Sequence, residues 1–482
     1  MKDKNCILNK QKMKKPTRSL SGVLPVAVVS KPIGCKHKCL YCPSLDVPKS
    51  YTPDSPAILR AKALGYDAYK QVRARLKVLK AMKHSTNKIE LIIIGGTFLE
   101  MPLEYQKHFV KQCYDALNGF HSRSLEEAKK INEKAKNRVV GFCIETRPDV
   151  CGKAEILNAL DYGVTRIELG VQAIDDKILE AVNRGHGVKE IINATALLKD
   201  SGFKVGYHFM PGLPGSSIKK DIQMYKKLFS DERFRPDQIK IYPVQVIKGS
   251  ELEKLYNESK YMPYSKEELI ELLIKLKLLT PRYCRIMRLM REVPKQWLVA
   301  GVISINLRQE LSEIMKARGL RCSCIRCREI GFRERELKER EEAQDRKEKN
   351  GEKEKVEKCE FKIKITRYNA SKGKEFFIEA INEDDSLLGL LRLRFPYKPF
   401  ISELEDRAIV RELHVYGRAL KIGEIKADAS QHRGIGKSLL EIAESIAKQS
   451  YDGIAIISGV GVREYYRKLG YMLVGHYMIK SL

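Results

Sequence analysis

The chain has 482 residues, 43% of them hydrophobic, which is too long for one ordinary core, so two or three domains are expected. It holds no run of about 18 apolar residues and no apolar stretch behind its basic start, which excludes a membrane span and a secretory signal. The net charge of +29 favours a polyanionic partner, nucleic acid first, and the twelve cysteines fit metal sites in a reducing cytoplasm better than a disulfide scaffold.

Residues 1–20 carry seven basic side chains and one acid and read as a flexible arm. Leu24–Val29 is an apolar strand that runs into Cys35-Lys-His-Lys-Cys39-Leu-Tyr-Cys42. Three thiolates at this spacing suit three irons of a [4Fe–4S] cluster, with the fourth iron left open to a small molecule. A zinc knuckle is the alternative, and it needs a fourth ligand for which only His37 stands nearby. Ala57–Lys83 is helical in pattern and unusually basic. Glu90–Ile94 is a buried strand ending in Gly95-Gly96, where backbone can approach a ligand closely.

Alternation then continues: strands at Val139–Glu145, Thr165–Val171, Phe203–Phe209, Gln238–Tyr242 and Cys284–Met290, with helices at Lys153–Tyr162, Asp175–Val182, Val188–Ser201, Ser216–Phe229, Ser250–Tyr256 and Ser265–Leu279. This predicts an α/β fold, a parallel sheet covered by helices and closed fully or partly into a (β/α) barrel. Polar residues collect at the strand ends, Glu145, Arg147, Glu168, Gln172, His208 and Tyr242 among them, where such barrels place chemistry.

After a helix at Leu307–Arg318 comes Cys322-Ser-Cys324-Ile-Arg-Cys327. C-x-C-x-x-C predicts zinc held by thiolates, with Cys359 or His414 as fourth ligand; a second iron–sulfur cluster is the runner-up. Residues 333–358 hold ten basic and ten acidic side chains and read as a connector. The tail changes character: strands at Phe361–Thr366, Phe376–Asn382, Ser386–Phe395 and Ala408–Val415, then Gln431-His-Arg-Gly434-Ile-Gly436 opening a helix at Ser438–Lys448, a strand at Ile454–Ser458 and a helix at Val462–Leu469. Glycines at a helix N-terminus free backbone N–H groups to hold a diphosphate.

These motifs carry a resemblance. The cysteine triplet and the Gly-Gly strand end resemble radical S-adenosylmethionine (SAM) enzymes. The tail, with Tyr465-Tyr466-Arg-Lys-Leu-Gly-Tyr471, resembles GCN5-related N-acetyltransferases. Together with Glu145-Thr-Arg-Pro-Asp149, Pro211-Gly-Leu-Pro-Gly215, Arg411–Gly417 and Ile457-Ser-Gly-Val-Gly461, the chain resembles the catalytic-subunit family of Elongator in its stand-alone archaeal form. It departs from that family at Pro43-Ser44-Leu45, where Pro-Gly-Gly is common, and in the shorter gap between its first two cysteines.

The resemblance implies a basic arm over 1–20, a radical SAM domain over 21–300, a zinc-binding segment over 301–332, a linker over 333–358 and an acetyl-CoA-binding α+β domain over 359–482. It implies carboxymethylation at carbon 5 of the tRNA wobble uridine, with a SAM-derived radical taking hydrogen from the acetyl methyl group. The implied cofactors are a [4Fe–4S] cluster on Cys35, Cys39 and Cys42, SAM at Gly95 and Gly96, zinc, and acetyl-CoA as co-substrate. Acetyl-CoA contacts fall on Lys88, Glu412, Leu413, His414, Val415, Ser430, Gln431, His432, Gly434, Gly436 and Tyr466, and catalytic roles on Lys88, Tyr465 and Tyr466. The implied partner is a tRNA anticodon stem-loop, its phosphates met by the arm, by Ala57–Lys83 and by Arg282–Arg291. The electron donor is not readable and a homo-oligomer is left open. Two other readings keep parts of the pattern: a protein lysine acetyltransferase, and an RNA-binding scaffold that senses acetyl-CoA.

Overall fold

The computed structural model describes residues 20–33, 35–303, 306–333, 361–417 and 434–482. The expected arm (save Leu20), the charged connector (save Arg333), Cys359, Ser430, Gln431 and His432 lie outside the described residues. The described strands are β1 (Leu24–Val29), β2 (Lys88–Ile94), β3 (Arg138–Thr146), β4 (Arg166–Gln172), β5 (Lys204–Phe209), β6 (Gln238–Ile241), β7 (Val246–Ile247), β8 (Arg285–Arg288), β9 (Leu298–Ala300), β10 (Lys362–Ala370), β11 (Gly373–Ile381), β12 (Leu387–Phe395), β13 (Arg407–Val415), β14 (Gly453–Ile456), β15 (Met472–Val474) and β16 (Tyr477–Ser481).

The first seven-stranded sheet runs β1-β2-β3-β4-β5-β6-β8 and is parallel throughout, an open barrel rather than a closed one. Its strands are apolar runs such as Leu91-Ile-Ile-Ile94 because helices cover their outer face. The second sheet runs β10-β11-β12-β13-β14-β16-β15, antiparallel except between β13 and β14. The helix Ile435–Ala447 packs on one of its faces through Ile435, Leu439, Leu440 and Ala443. Along β13, β14 pairs only with Arg407–Val410 and ends at Ile456, so the two parallel strands part beyond that point.

The opposite face of the second sheet lies against the N-terminal ends of the barrel strands, and the apolar core is continuous across this seam, with Ile409, Ile457 and Val460 joining Phe203 and Val205. Gly459 sits so close to the Val140 backbone, and Gly461 so close to the Arg138 Cβ and the Val139 backbone, at the start of β3 that a Cβ at either would collide. Buried charges cross the same seam. The Arg411 guanidinium donates to both oxygens of Asp237 (2.7 Å each) and to Glu375 (2.8 Å). Arg394 donates to Asp200 and Glu375, and Arg392 to Glu412 (2.8 Å). Against its burial, Arg411, then Lys199 and Arg392, hold Asp237 well below the usual carboxylate range.

Several expectations are corrected. The basic helix over Ala57–Lys83 is two helices, Pro56–Ala63 and Ala68–Ala81, broken where Tyr66 takes φ +57° and Asp67 caps the second through Lys70 N–H. The helices Leu103–Asn118 and Leu125–Asn132 and the hairpin of β15 and β16 were absent from the expected series. The helix expected over Val462–Leu469 is a 3₁₀ turn, Val460–Val462, followed by Arg463–Arg467.

Candidate active site

A single cavity of about 840 Å³ passes from the C-terminal mouth of the barrel through its interior to the seam. Cys35, Cys39 and Cys42 line it at the mouth, together with Gly95 and Gly96. The loop that follows β1 carries the three cysteines. Arg184 reaches Cys39 Sγ with Nη1 (3.6 Å) and donates to the Gly170 carbonyl with Nη2 (2.5 Å). A hydrogen bond from Cys42, opposed by burial and reinforced by Arg184, lowers the pKa of the Cys39 thiol, and the same bond, with burial, raises that of Cys42. Arg147 braces this arrangement: it donates to the Arg184 carbonyl (2.8 Å) and holds Asp149 at 3.0 Å, and Asp149 in turn faces His37 of the cysteine loop (3.7 Å). Gly95 has φ +134° and packs on Ser30, so a Cβ there would collide with the Ser30 hydroxyl. Gln172, at φ +67°, leaves its Oε1 buried and without a hydrogen-bond partner among the described residues. Such a strained, orphaned acceptor beside three cysteines fits a small polar ligand at the mouth.

Halfway down, Lys240 lies between Glu145 (2.8 Å) and Glu168, and His208 Nε2 bonds Glu168 (3.0 Å). Against its burial, Lys240, then His208 and Arg166, hold Glu168 well below the usual carboxylate range. The Glu145–Glu168–His208 trio has metal-like spacing, but the Lys240 ammonium already supplies its cation.

At the seam the cavity is lined by Lys204, Arg285, Glu412, His414 and Tyr416. Lys204 of β5 and Arg392 of β12 each hold one oxygen of Glu412 at 2.8 Å. His414 Nε2–H donates to the Ser21 carbonyl (2.7 Å), and its ring stacks on Tyr416 at 4.3 Å. Gly434 and Gly436 open the helix Ile435–Ala447 beside Val415 and Tyr465; a Cβ at Gly436 would come within 3.1 Å of the Tyr465 hydroxyl and 3.5 Å of a Val415 methyl. Of the paired tyrosines, Tyr465 is 40% exposed and faces this glycine, whereas Tyr466 lies in the core of the second sheet against Tyr471. Leu413 packs against that same core. Lys88, outside the cavity lining, starts β2 beside Arg138, the residue against which Gly461 packs; burial pushes its ammonium below the usual lysine range.

The sulfurs of Cys322, Cys324 and Cys327 lie within 4.8 Å of one another, a donor set that fits zinc. No fourth histidine, cysteine or carboxylate joins them among the described residues, and His414, expected as a candidate, faces the cavity instead. The basic run Arg282–Arg291 is also corrected as a phosphate surface: Arg282 pairs with Glu379 and Asp385, and Arg285 with the buried Glu329, while Arg288 and Arg291 do reach the cavity. The sequence reading did not single out Arg184, Lys204, Lys240 or Arg392. Lys240 had a signal, a lone cation in the apolar strand Gln238-Ile-Lys-Ile241.

Residues 29–228 match the Radical SAM superfamily and residues 236–317 the Radical SAM C-terminal domain. A Dehalococcoides mccartyi protein named tRNA uridine(34) acetyltransferase is 48% identical over 477 residues, 98% of this chain and 100% of the relative. The chain belongs to the tRNA uridine(34) acetyltransferase and Elongator complex protein 3 family. Another member, human Elongator complex protein 3, is 39% identical across 97% of this chain and 86% of its own length. The fold is similar as well: the solved structure of archaeal Methanocaldococcus infernus Elp3, lacking its N-terminus, superposes with a TM-score of 0.81 at 42% identity, covering 96% of this chain and 100% of that one.

Proposed function

We propose that this chain modifies carbon 5 of the wobble uridine of tRNA, with acetyl-CoA as the carbon donor and SAM as the source of the radical. The observation that carries the reading is the shared cavity: the cysteine triplet opens into one end of it and Glu412 and His414 of β13 into the other. Cys35, Cys39 and Cys42 would hold a [4Fe–4S] cluster, which supplies one-electron chemistry on SAM when bound. Arg184, at 3.6 Å, favours the thiolate of Cys39, Gly95 and Gly96 let the strand end approach SAM, and Gln172 offers it an acceptor. Gly434 and Gly436 at the helix start, with the backbone of Glu412–Val415 of β13, would seat the coenzyme where β13 and β14 part. Burial of the interior excludes bulk water from a reactive carbon.

The tRNA would meet the exposed basic face of Ala68–Ala81, with Lys70, Arg73, Lys77 and Lys80, near the cavity mouth that Arg60 and Arg75 line. Zinc on Cys322, Cys324 and Cys327 would fasten the segment between the two sheets. No described helix is long and apolar enough to cross a membrane.

The test is anaerobic. Protein with its cluster rebuilt is given dithionite, SAM, acetyl-CoA and unmodified tRNA, and the digested nucleosides are weighed by mass spectrometry. The expected result is a carboxymethyl gain on uridine that is lost in Cys39→Ala. Cluster-loaded protein that leaves SAM intact would sink the reading and favour a lysine acetyltransferase.

A further inference from the structure

Turning the acetyl group of acetyl-CoA into the carboxymethyl group of the reaction proposed above requires cleavage of its thioester by water, and that step needs a base. Two side chains of β13 face the seam end of the cavity, Glu412 and His414. Glu412 is unsuited: Lys204 and Arg392 occupy its two oxygens and, against burial, hold it well below the usual carboxylate range. His414 is arranged differently. Its Nε2 faces a backbone carbonyl, that of Ser21, which can only accept, so Nε2 carries the proton. Nδ1 is therefore the lone-pair nitrogen, and it makes no hydrogen bond among the described residues. The ring is fixed by stacking on Tyr416, over which the Arg285 guanidinium lies at 5.7 Å. Burial holds the imidazole below its ordinary range, so it stands neutral. The strand carrying it is the one that parts from β14 beside Gly436.

We propose that His414 is the general base that activates water for cleavage of the thioester, with Ser21 as the backbone group that fixes its tautomer. The proposal rests on the functional reading above. The water oxygen attacks the thioester carbonyl carbon while its proton passes to Nδ1. The carbon–sulfur bond then breaks with its electron pair on sulfur, and the leaving thiolate takes the proton from Nδ1–H. The products are a carboxylic acid and the coenzyme A thiol, and neither oxidant nor reductant is consumed. Glu412 serves as the clamp between β5 and β12 that holds the strand in place.

The experiment uses the full chain with its cluster rebuilt and tRNA present, and follows release of free coenzyme A thiol. His414→Ala and His414→Gln are compared with wild type; glutamine can still donate to Ser21 but takes no proton. Affinity is read in parallel with an acetyl-CoA analogue whose thioester sulfur is replaced by methylene. Loss of a positioned base predicts a fall in thiol release of about 10²- to 10⁴-fold, with analogue affinity changed by no more than about threefold. Added imidazole should restore release to His414→Ala. Wild-type rates in His414→Gln overturn the proposal, as does a loss of analogue binding that matches the loss of rate, or the absence of rescue. Wild-type protein that binds the analogue yet releases no thiol overturns the functional reading itself, and this proposal with it.

Discussion

Replacing Arg411 with methionine removes the guanidinium from the centre of the buried seam. Five hydrogen bonds go: two to Asp237 at 2.7 Å, two to Glu375 at 2.8 and 3.3 Å, and one to the Phe203 carbonyl at 2.8 Å; the three shortest to carboxylates set the scale. At about 1.5–3 kcal/mol each, the gross loss is roughly 4.5–9 kcal/mol. Two effects reduce it. Methionine needs no desolvation of a charge, and Asp237 keeps Lys199 and Arg392 at 3.5 Å and the Val205 amide at 2.9 Å. The expected net destabilisation is about 3–5 kcal/mol, the range for breaking a buried pair from one side. Urea unfolding of the full chain measures it, by far-UV circular dichroism and by fluorescence of Trp297, the single tryptophan, which lies beside Asp54 on the barrel side. Because the apolar core is continuous across the seam, both probes should shift together. The cycle with Asp237→Asn should give a coupling of about 1.5–3 kcal/mol. A destabilisation below about 1 kcal/mol, or a Trp297 transition that does not move, would refute the view that these charges bind the halves into one unit.

Gly95→Ala should cost about 1–3 kcal/mol of stability, from φ +134° and the collision with Ser30, and weaken SAM binding; wild-type urea midpoint and affinity would contradict it. Cys324→Ser should strip zinc from the purified protein while leaving iron in place, measured by elemental analysis; loss of iron instead would assign the second cysteine set to a cluster. Glu412 has a folded pKa below its unfolded value, so its contribution is complete above the unfolded value of about 4.3 and is lost as pH falls through the folded one. The stability gap between wild type and Glu412→Gln should therefore stay constant from neutral pH to about pH 5 and close only in stronger acid. A gap already shrinking between about pH 7 and 6 would contradict the assignment.

Much of the architecture was legible because buried parallel strands announce themselves as apolar runs, and β1 falls where the sequence places it. The cysteine sets and the Gly-Gly strand end were legible because their chemistry is tied to spacing. The seam was not. Leu390-Leu-Arg-Leu-Arg394 in β12 alternates, and alternation reads as a strand with arginines in water. Arg392 and Arg394 are instead almost fully buried, because the face they share meets Asp237 and Asp200 at the barrel floor. Arg282 and Arg285 misled for the same reason: their partners Glu379 and Glu329 come from distant segments, which no local pattern reveals. The break at Tyr66 was hidden because both helices are basic and amphipathic, so the pattern runs through it.

Lys240, wedged between Glu145 and Glu168, has a bearing on the medium in which the protein works. RNA travels with a cloud of magnesium, and a vacant pair of carboxylates beside an imidazole would scavenge divalent ions from it. A tethered ammonium cannot be washed out, exchanged or overloaded. The interior thus keeps a constant electrical balance whatever ions its substrate carries in, and turnover should be indifferent to moderate changes in magnesium except through the folding of the RNA itself.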